Sequence, residues 1–279
     1  MGRSVLTLVA TVLVSLGLWP AAARGQSVLA AGSDPSVDGT DVAFVTPGFG
    51  VAVLLRGGVG WTRFSAHGIA VGGRYVATTD GKFVRVAERD TGREVLALED
   101  TLAAHPAVSD RWLVYRRSGP STTLVAVPIA GGPARIVAGA GLPASLGRPS
   151  LDGSRLVFDV FGRREKRIDE IDLTTGRRST LRSGRHTFAH PSVRGGRLLW
   201  VEYGRRHHSL RLGDLSARGG RVLLRIPTRS QPPPPGRAAV ERTLFTTALG
   251  DDAAFVTQVR SREGYGTSSR QSILRVPLR

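Results

Sequence analysis

Beyond residue 30 the apolar residues come in short clusters broken by turn-forming residues, and no segment there repeats them at helical spacing. Six segments share one pattern: a small or apolar residue, a short turn rich in Gly, Asp and Ser, then a β-prone apolar triplet. Val37-Asp38-Gly39-Thr40-Asp41-Val42-Ala43-Phe44 and Leu151-Asp152-Gly153-Ser154-Arg155-Leu156-Val157-Phe158 are two copies, and the others start at Val71, Val108, Val193 and Leu249. Asp-Gly, Gly-Gly and Ser-Asp tolerate the positive φ of a tight turn, and the flanking residues are mostly branched or aromatic, so each copy predicts a hairpin. The starts lie 34, 37, 43, 42 and 56 residues apart. A four-stranded propeller blade takes about 40–45 residues, and the intervals scatter around that length.

The second half of each unit repeats as well. Val84–Leu96, Leu124–Val137, Ile168–Leu181 and Leu210–Leu224 each read as strand, turn, strand, with alternation that buries one face of each strand between blades. Prolines 35, 106, 149 and 191 precede four of the copies and are expected at the start of a strand, since proline has no N–H to donate. The last unit stops after the strand around Ser272–Leu278, one short, and an orphan strand at Ser27–Ala30 precedes the first copy. Pairing the two would close the ring and protect its edges. The fold class is therefore all-β: one β-propeller of about six four-stranded blades, closed by the N-terminal strand completing the last blade.

The copy Pro149-Ser150-Leu151-Asp152-Gly153-Ser154-Arg155-Leu156-Val157-Phe158, followed by Ile171-Asp172-Leu173-Thr174-Thr175-Gly176, resembles the repeat of the TolB-type, WD40-like propeller family. That family's Ser-Pro before Asp-Gly is absent here, and the copies at 71 and 249 are degenerate. No Trp-Asp ends a blade as in WD40 repeats proper. The resemblance covers most of residues 31–279 and implies an architecture. It also implies two roles seen among relatives: an accessory subunit of a transport or envelope complex, and degradation of pectin fragments at a histidine-held manganese.

The ends and the charge add to this picture. Met1-Gly2-Arg3-Ser4 is basic, Val5–Leu18 is apolar, Trp19-Pro20 breaks a helix, and Ala21-Ala22-Ala23 and Ala23-Arg24-Gly25 offer small residues for cleavage. The run of 14 residues falls short of the roughly 20 that span a bilayer, so residues 1–25 are expected to be a signal peptide and 26–279 the propeller. Membrane attachment is expected only through an uncleaved signal. The protein should thus be secreted or held in the cell envelope. With no cysteine, disulfides and thiolate sites are excluded. Of 39 basic residues only Lys82 and Lys166 are lysine, and the net charge is +17, which should attract polyanions in a salt-dependent way.

Few residues carry chemistry by pattern alone. His67, His105 and His190 stand four, three and three residues before their core valines, near the inner strands, and a metal would have to be built from them. His-Pro before an inner strand also serves as turn chemistry, so neither a metal nor any other cofactor is expected. No Gly-x-Ser-x-Gly elbow and no dinucleotide fingerprint is present, and no catalytic residue is assigned. Arg163, Arg164, Lys166 and Arg167 lie between strands of the fourth blade, with Arg177, Arg178, Arg182 and Arg185 close behind; Arg205 and Arg206 take the matching place in the fifth. Together these runs predict one cationic rim. Nucleic acid is not expected, since no aromatic residues interleave with the arginines. The insertion 228–237, with four consecutive prolines, is expected to be a solvated loop. The reading is a monomeric, exported, non-catalytic propeller that engages a protein or an anionic envelope polymer through its basic rim. The alternative is a lyase or hydrolase acting on a polysaccharide at the channel mouth.

Overall fold

The computed structural model describes residues 26–279 apart from 48–49, 58–59, 164–165, 185, 217–218, 229–239 and 263–268. The expected signal segment, Arg164 and nearly all of the proline-rich loop therefore lie outside the described residues. Strand β1 (Ser27–Ala31) comes first. Blade one follows as β2 (Ser33–Asp38), β3 (Asp41–Val45), β4 (Ala52–Arg56) and β5 (Gly60–Phe64). Blade two is β6 (Gly68–Gly72), β7 (Tyr75–Thr79), β8 (Phe83–Glu88) and β9 (Glu94–Glu99). Blade three is β10 (Ala103–Val108), β11 (Trp112–Ser118), β12 (Ser121–Pro128) and β13 (Arg135–Gly141). In blade four the inner strand is broken into β14 (Ser145–Leu146) and β15 (Ser150–Asp152), both paired with β16 (Arg155–Phe161); β17 (Lys166–Asp172) and β18 (Arg178–Ser183) complete it. Blade five is β19 (Thr187–Arg194), β20 (Arg197–Tyr203), β21 (His207–Asp214) and β22 (Arg221–Pro227). Blade six is β23 (Val240–Leu249), β24 (Ala253–Arg262) and β25 (Arg270–Pro277), and β1 pairs antiparallel with β25 as its fourth strand. The described residues contain no helix. The six repeat copies are the turns joining first and second strands, and the closure expected from the orphan strand is present.

Alternation places one set of side chains in the gap between neighbouring blades. Six buried clusters result, one per gap. Leu54 and Ile69 meet between blades one and two, Val86 and Leu113 between two and three, and Leu124 and Phe158 between three and four. Ile168 and Trp200 fill the fourth gap, Leu210 and Leu274 the fifth, and Phe44 and Phe255 the last, where Leu29 and Ala30 of β1 pack on the outside. At about 25 cal/mol per Å2 of apolar surface, repeated interfaces of this kind supply the stability that disulfides supply in smaller exported domains.

Three of the four prolines do not start their strands, whereas Pro149 immediately precedes β15. Pro35, Pro106 and Pro191 lie inside β2, β10 and β19, each at a register shift, and Pro149 falls in the break of blade four. Inner strands face the channel on their free edge, so a missing N–H costs no ladder bond, and the bulge absorbs the ring. The serine after proline has a separate task. Ser36 Oγ accepts the N–H of Val71 at 3.1 Å, Ser150 Oγ that of Val193 at 3.0 Å, and Ser192 Oγ that of Leu249 at 2.9 Å. Each serine thus satisfies an edge donor on the next blade, where no strand is available to do it.

Candidate functional site: the mouth of the central channel

The residue before each proline sets the site. Asp34, His105 and His190 have φ of 53°, 49° and 52°, a region that non-glycine residues seldom enter and that Asp, Asn and His enter more readily than others. Such strain costs on the order of 1–3 kcal/mol per residue and tends to gather at functional sites. Counted back three residues from the start of each copy, Arg148 stands at this position in blade four, Gly68 in blade two and Thr246 in blade six. By this count the six inner strands bring Asp, Gly, His, Arg, His and Thr to a ring at the front of the channel, where Asp34, Arg148 and His105 all act on His190. A Cβ at Gly68 would stand 2.7 Å from Thr79 Oγ1, so no side chain fits in that sector without a shift.

Bracing of the ring is by backbone and neighbours. The N–H of Asp34 donates to Thr246 Oγ1 at 3.2 Å, and Thr246 Oγ1 lies 2.9 Å from Thr257 Oγ1. The N–H of His190 donates to Asp159 Oδ2 at 3.0 Å, and Thr247 Oγ1 donates to the His190 carbonyl at 2.6 Å. The functional groups themselves are left for other work. Arg148 Nη1 stands 3.6 Å from Asp34 Oδ1, too far for a hydrogen bond, and has no hydrogen-bond partner among the described residues. Burial pushes both imidazoles towards the neutral form, His190 to about 4, with Asp34 opposing and Arg148 assisting. Asp159 is 0% exposed; burial raises it to about 6 against the opposing His190 N–H, and its Oδ1 has no hydrogen-bond partner among the described residues. Gly147 makes room for that carboxyl, since a Cβ there would sit 1.8 Å from Asp159 Oδ1.

An aromatic wall stands on one side of the ring. Phe245 lies over His190 with centroids 4.6 Å apart, Tyr203 meets its edge at 6.2 Å, and Phe161 is 6.4 Å away. Phe245 is 46% exposed, so the wall reaches solvent. Tyr203 Oη donates to the Leu244 carbonyl at 2.7 Å, which fixes its ring. Burial, with Asp159 adding to it, raises Tyr203 above the ordinary tyrosine range.

The basic turns continue this wall. In an antiparallel blade the start of the first strand and the turn between the second and third lie on one face, here called the front. Register confirms it, with Ser145 opposite Phe161 and Thr187 opposite Tyr203. Arg163 follows Phe161 by two residues and Arg205 follows Tyr203 by two; Arg163, Arg205 and Arg206 are exposed. Thr228 holds the second turn, its N–H donating to the Arg206 carbonyl at 3.0 Å. Behind the ring the channel of about 540 Å3 runs past Ser36, Val71, Val108, Ser150 and Val193 to the back face. There Arg194 joins Asp38 at 2.7 Å and Asp251 at 2.6 Å, tying blade five to blades one and six.

Several residues stand elsewhere than the sequence suggests. His105 and His190 share the ring, but His67 is exposed and lies one place before Gly68, the ring position of its blade. Its four-residue spacing to valine, against three for the others, is the difference. Among the described residues no group of three His, Asp or Glu side chains is placed to hold a metal. Lys166 is exposed at the start of β17, whereas Arg167 Nε is bound to both oxygens of Asp169 at 3.0 Å. Arg177 and Arg178 belong to the back-face turn of blade four, and Arg178 also pairs with Asp169 at 2.6 Å. Arg182 is 5% exposed, stacked 4.9 Å from the Trp200 ring centroid and donating to the carbonyls of Leu181 and Asp214. These three carry structure and leave the rim to the turn tips. Asp34, Arg148, Asp159, Phe161, Tyr203 and Phe245 carry no motif; except for Phe245, which has no such mark, their signal is position, either before a repeat proline or just ahead of a basic turn.

No protein-family model and no curated protein matches the sequence. Solved structures do. TolB from Acinetobacter baumannii superposes with TM-score 0.52 at 12% identity, over 91% of this chain and 63% of that one. A puromycin hydrolase gives 0.50 at 11% identity over 86% of this chain, which spans only 51% of that protein's length. An oligogalacturonate lyase in complex with manganese gives 0.49 at 13% identity over 86% of both chains. At such identities the likeness is one of fold. Six blades of four strands, closed by the N-terminal strand, give this chain the fold of a TolB-like β-propeller.

Proposed function

We propose that the chain is an exported binding propeller without catalytic function, engaging an acidic protein or anionic envelope polymer through its front face. One observation carries this reading. The exposed Arg163, Arg205 and Arg206 lie on the same face as the channel ring, two or three residues beyond the aromatic side chains that wall it. The net charge of +17 adds a long-range attraction for polyanions, which steers encounter and weakens as salt rises.

The test uses mature protein and two probes, poly-L-glutamate and polygalacturonate, by calorimetry across a salt series. Binding should weaken steadily with salt. Replacing Arg163, Arg205 and Arg206 together by Gln should lower affinity about tenfold at low salt, since exposed charges each contribute about 0.2–1 kcal/mol. Equal binding by the triple variant would remove the rim from the account. Mass measurement of the exported protein tests the signal peptide: a product starting near residue 24 or 26 is expected.

A second reading rests on Asp159, a fully buried carboxyl raised to about 6 beside the ring. Such a group can act as a general acid near neutral pH. Its Oδ2 is committed to the His190 N–H, which favours a bracing role. Turnover of a polysaccharide, abolished in Asp159→Asn, would establish the enzyme reading instead.

A further inference from the structure

We infer that the ring and its aromatic wall form a socket for the C-terminal carboxylate of an acidic peptide whose last side chain is apolar. This deepens the binding reading above by naming the end of the partner that enters the channel. Three observations carry it. Arg148 lines the channel with a guanidinium nitrogen, Nη1, that makes no hydrogen bond among the described residues, and it is the one fixed positive charge among the six ring residues. An arginine fork matches a carboxylate in shape as well as charge. His190, which feels the Arg148 charge, carries the partly exposed Phe245 on its ring, with Tyr203 and Phe161 behind, giving an apolar side chain a surface to cover. The wall then leads directly to Arg163, Arg205 and Arg206, which suit acidic residues upstream in the same peptide.

The charge balance selects the ligand further. Asp34 stands 3.6 Å from Arg148, so a dianion would meet a carboxylate as well as a guanidinium. A peptide terminus brings one negative charge for Arg148 and one N–H that Asp34 can accept. The neutral imidazoles of His105 and His190 each offer one donor and one acceptor to the remaining amide. A throat enclosed by six inner strands takes a chain end more readily than an internal loop, which needs width for two strands.

Fluorescence anisotropy with the acetylated pentapeptide Asp-Glu-Asp-Gly-Phe, as free acid and as C-terminal amide, tests the inference on unmodified protein. The acid should bind at least about tenfold tighter than the amide, the scale of a charge-assisted bidentate contact. In Arg148→Gln the ratio should fall to one, and Arg148→Lys should restore part of it. Phe245→Ala should weaken both forms. The triple rim variant should weaken both forms and keep the ratio, so loss of the rim effect and loss of the ratio are separate failures. Acid and amide binding alike, no binding of either, or a ratio that survives Arg148→Gln would overturn the socket. Displacement of the acid peptide by galacturonate at equal concentration would also overturn it, by assigning the mouth to a sugar acid.

Discussion

Replacing Asp159 by asparagine isolates the electrostatic cost that the channel mouth carries. The side chain is fully buried, and the hydrogen bond from the His190 N–H to its Oδ2 at 3.0 Å can be kept by an amide oxygen. The substitution therefore removes ionisation with little change in shape. In the folded protein this carboxyl is raised to about 6 from the ordinary 3.8. A raised folded value means the folded state holds the proton better than the unfolded chain does. The resulting stability is fully present below about pH 3.8 and is lost as pH rises through about 6. The shift amounts to about 3 kcal/mol. His190 acts in the opposite sense: lowered to about 4, it contributes stability above its ordinary 6.5 that is lost as pH falls through 4. The wild-type profile mixes both, and only the difference between variant and wild type is diagnostic. Urea unfolding at intervals from pH 3.5 to 8 should show Asp159→Asn gaining on wild type by about 3 kcal/mol, with the change centred between pH 4 and 6. A difference that is flat with pH, or that runs the other way, would refute the buried, proton-holding carboxyl.

Three further perturbations test the frame around the site. Ser192→Ala leaves the buried Leu249 N–H without its acceptor and should lower stability by about 1–3 kcal/mol at unchanged m-value in urea. Gly147→Ala drives a methyl group into Asp159, at 1.8 Å from Oδ1, and should cost at least about 3 kcal/mol; in an Asp159→Ala background the same change should cost far less, as a double-mutant cycle will read. Leu29→Ala, on the closing strand, should destabilise by about 1–2 kcal/mol in thermal unfolding, somewhat under a core leucine because the side chain is only half-buried.

The frame was legible in the sequence because it repeats. Turn chemistry at Asp38-Gly39, Gly72-Gly73 and Asp152-Gly153 marks the hairpins, and a missing strand at one end with an orphan at the other marks the closure. The site was legible only in part, since it is made by equivalence of position between blades whose residue types differ. Asp34, Gly68, His105, Arg148, His190 and Thr246 share a place and no chemistry. His67 stands one residue earlier than the other histidines, four before its core valine against three, and β6 pairs without the proline bulge of their blades. Arg182 shows a related limit. Nothing in a run of arginines tells which one a neighbouring Trp200 and two carbonyls will bury.

Hydrogen–deuterium exchange of the protein, with and without the acidic pentapeptide acid, measures directly which face binds. Protection is expected on the front face, at 161–163, 203–206 and 244–247, and in Arg148 and the residues flanking it. Protection confined to the back-face turns at 38–41, 194–197 and 250–253, or none anywhere under saturating peptide, would contradict a front-face binding propeller.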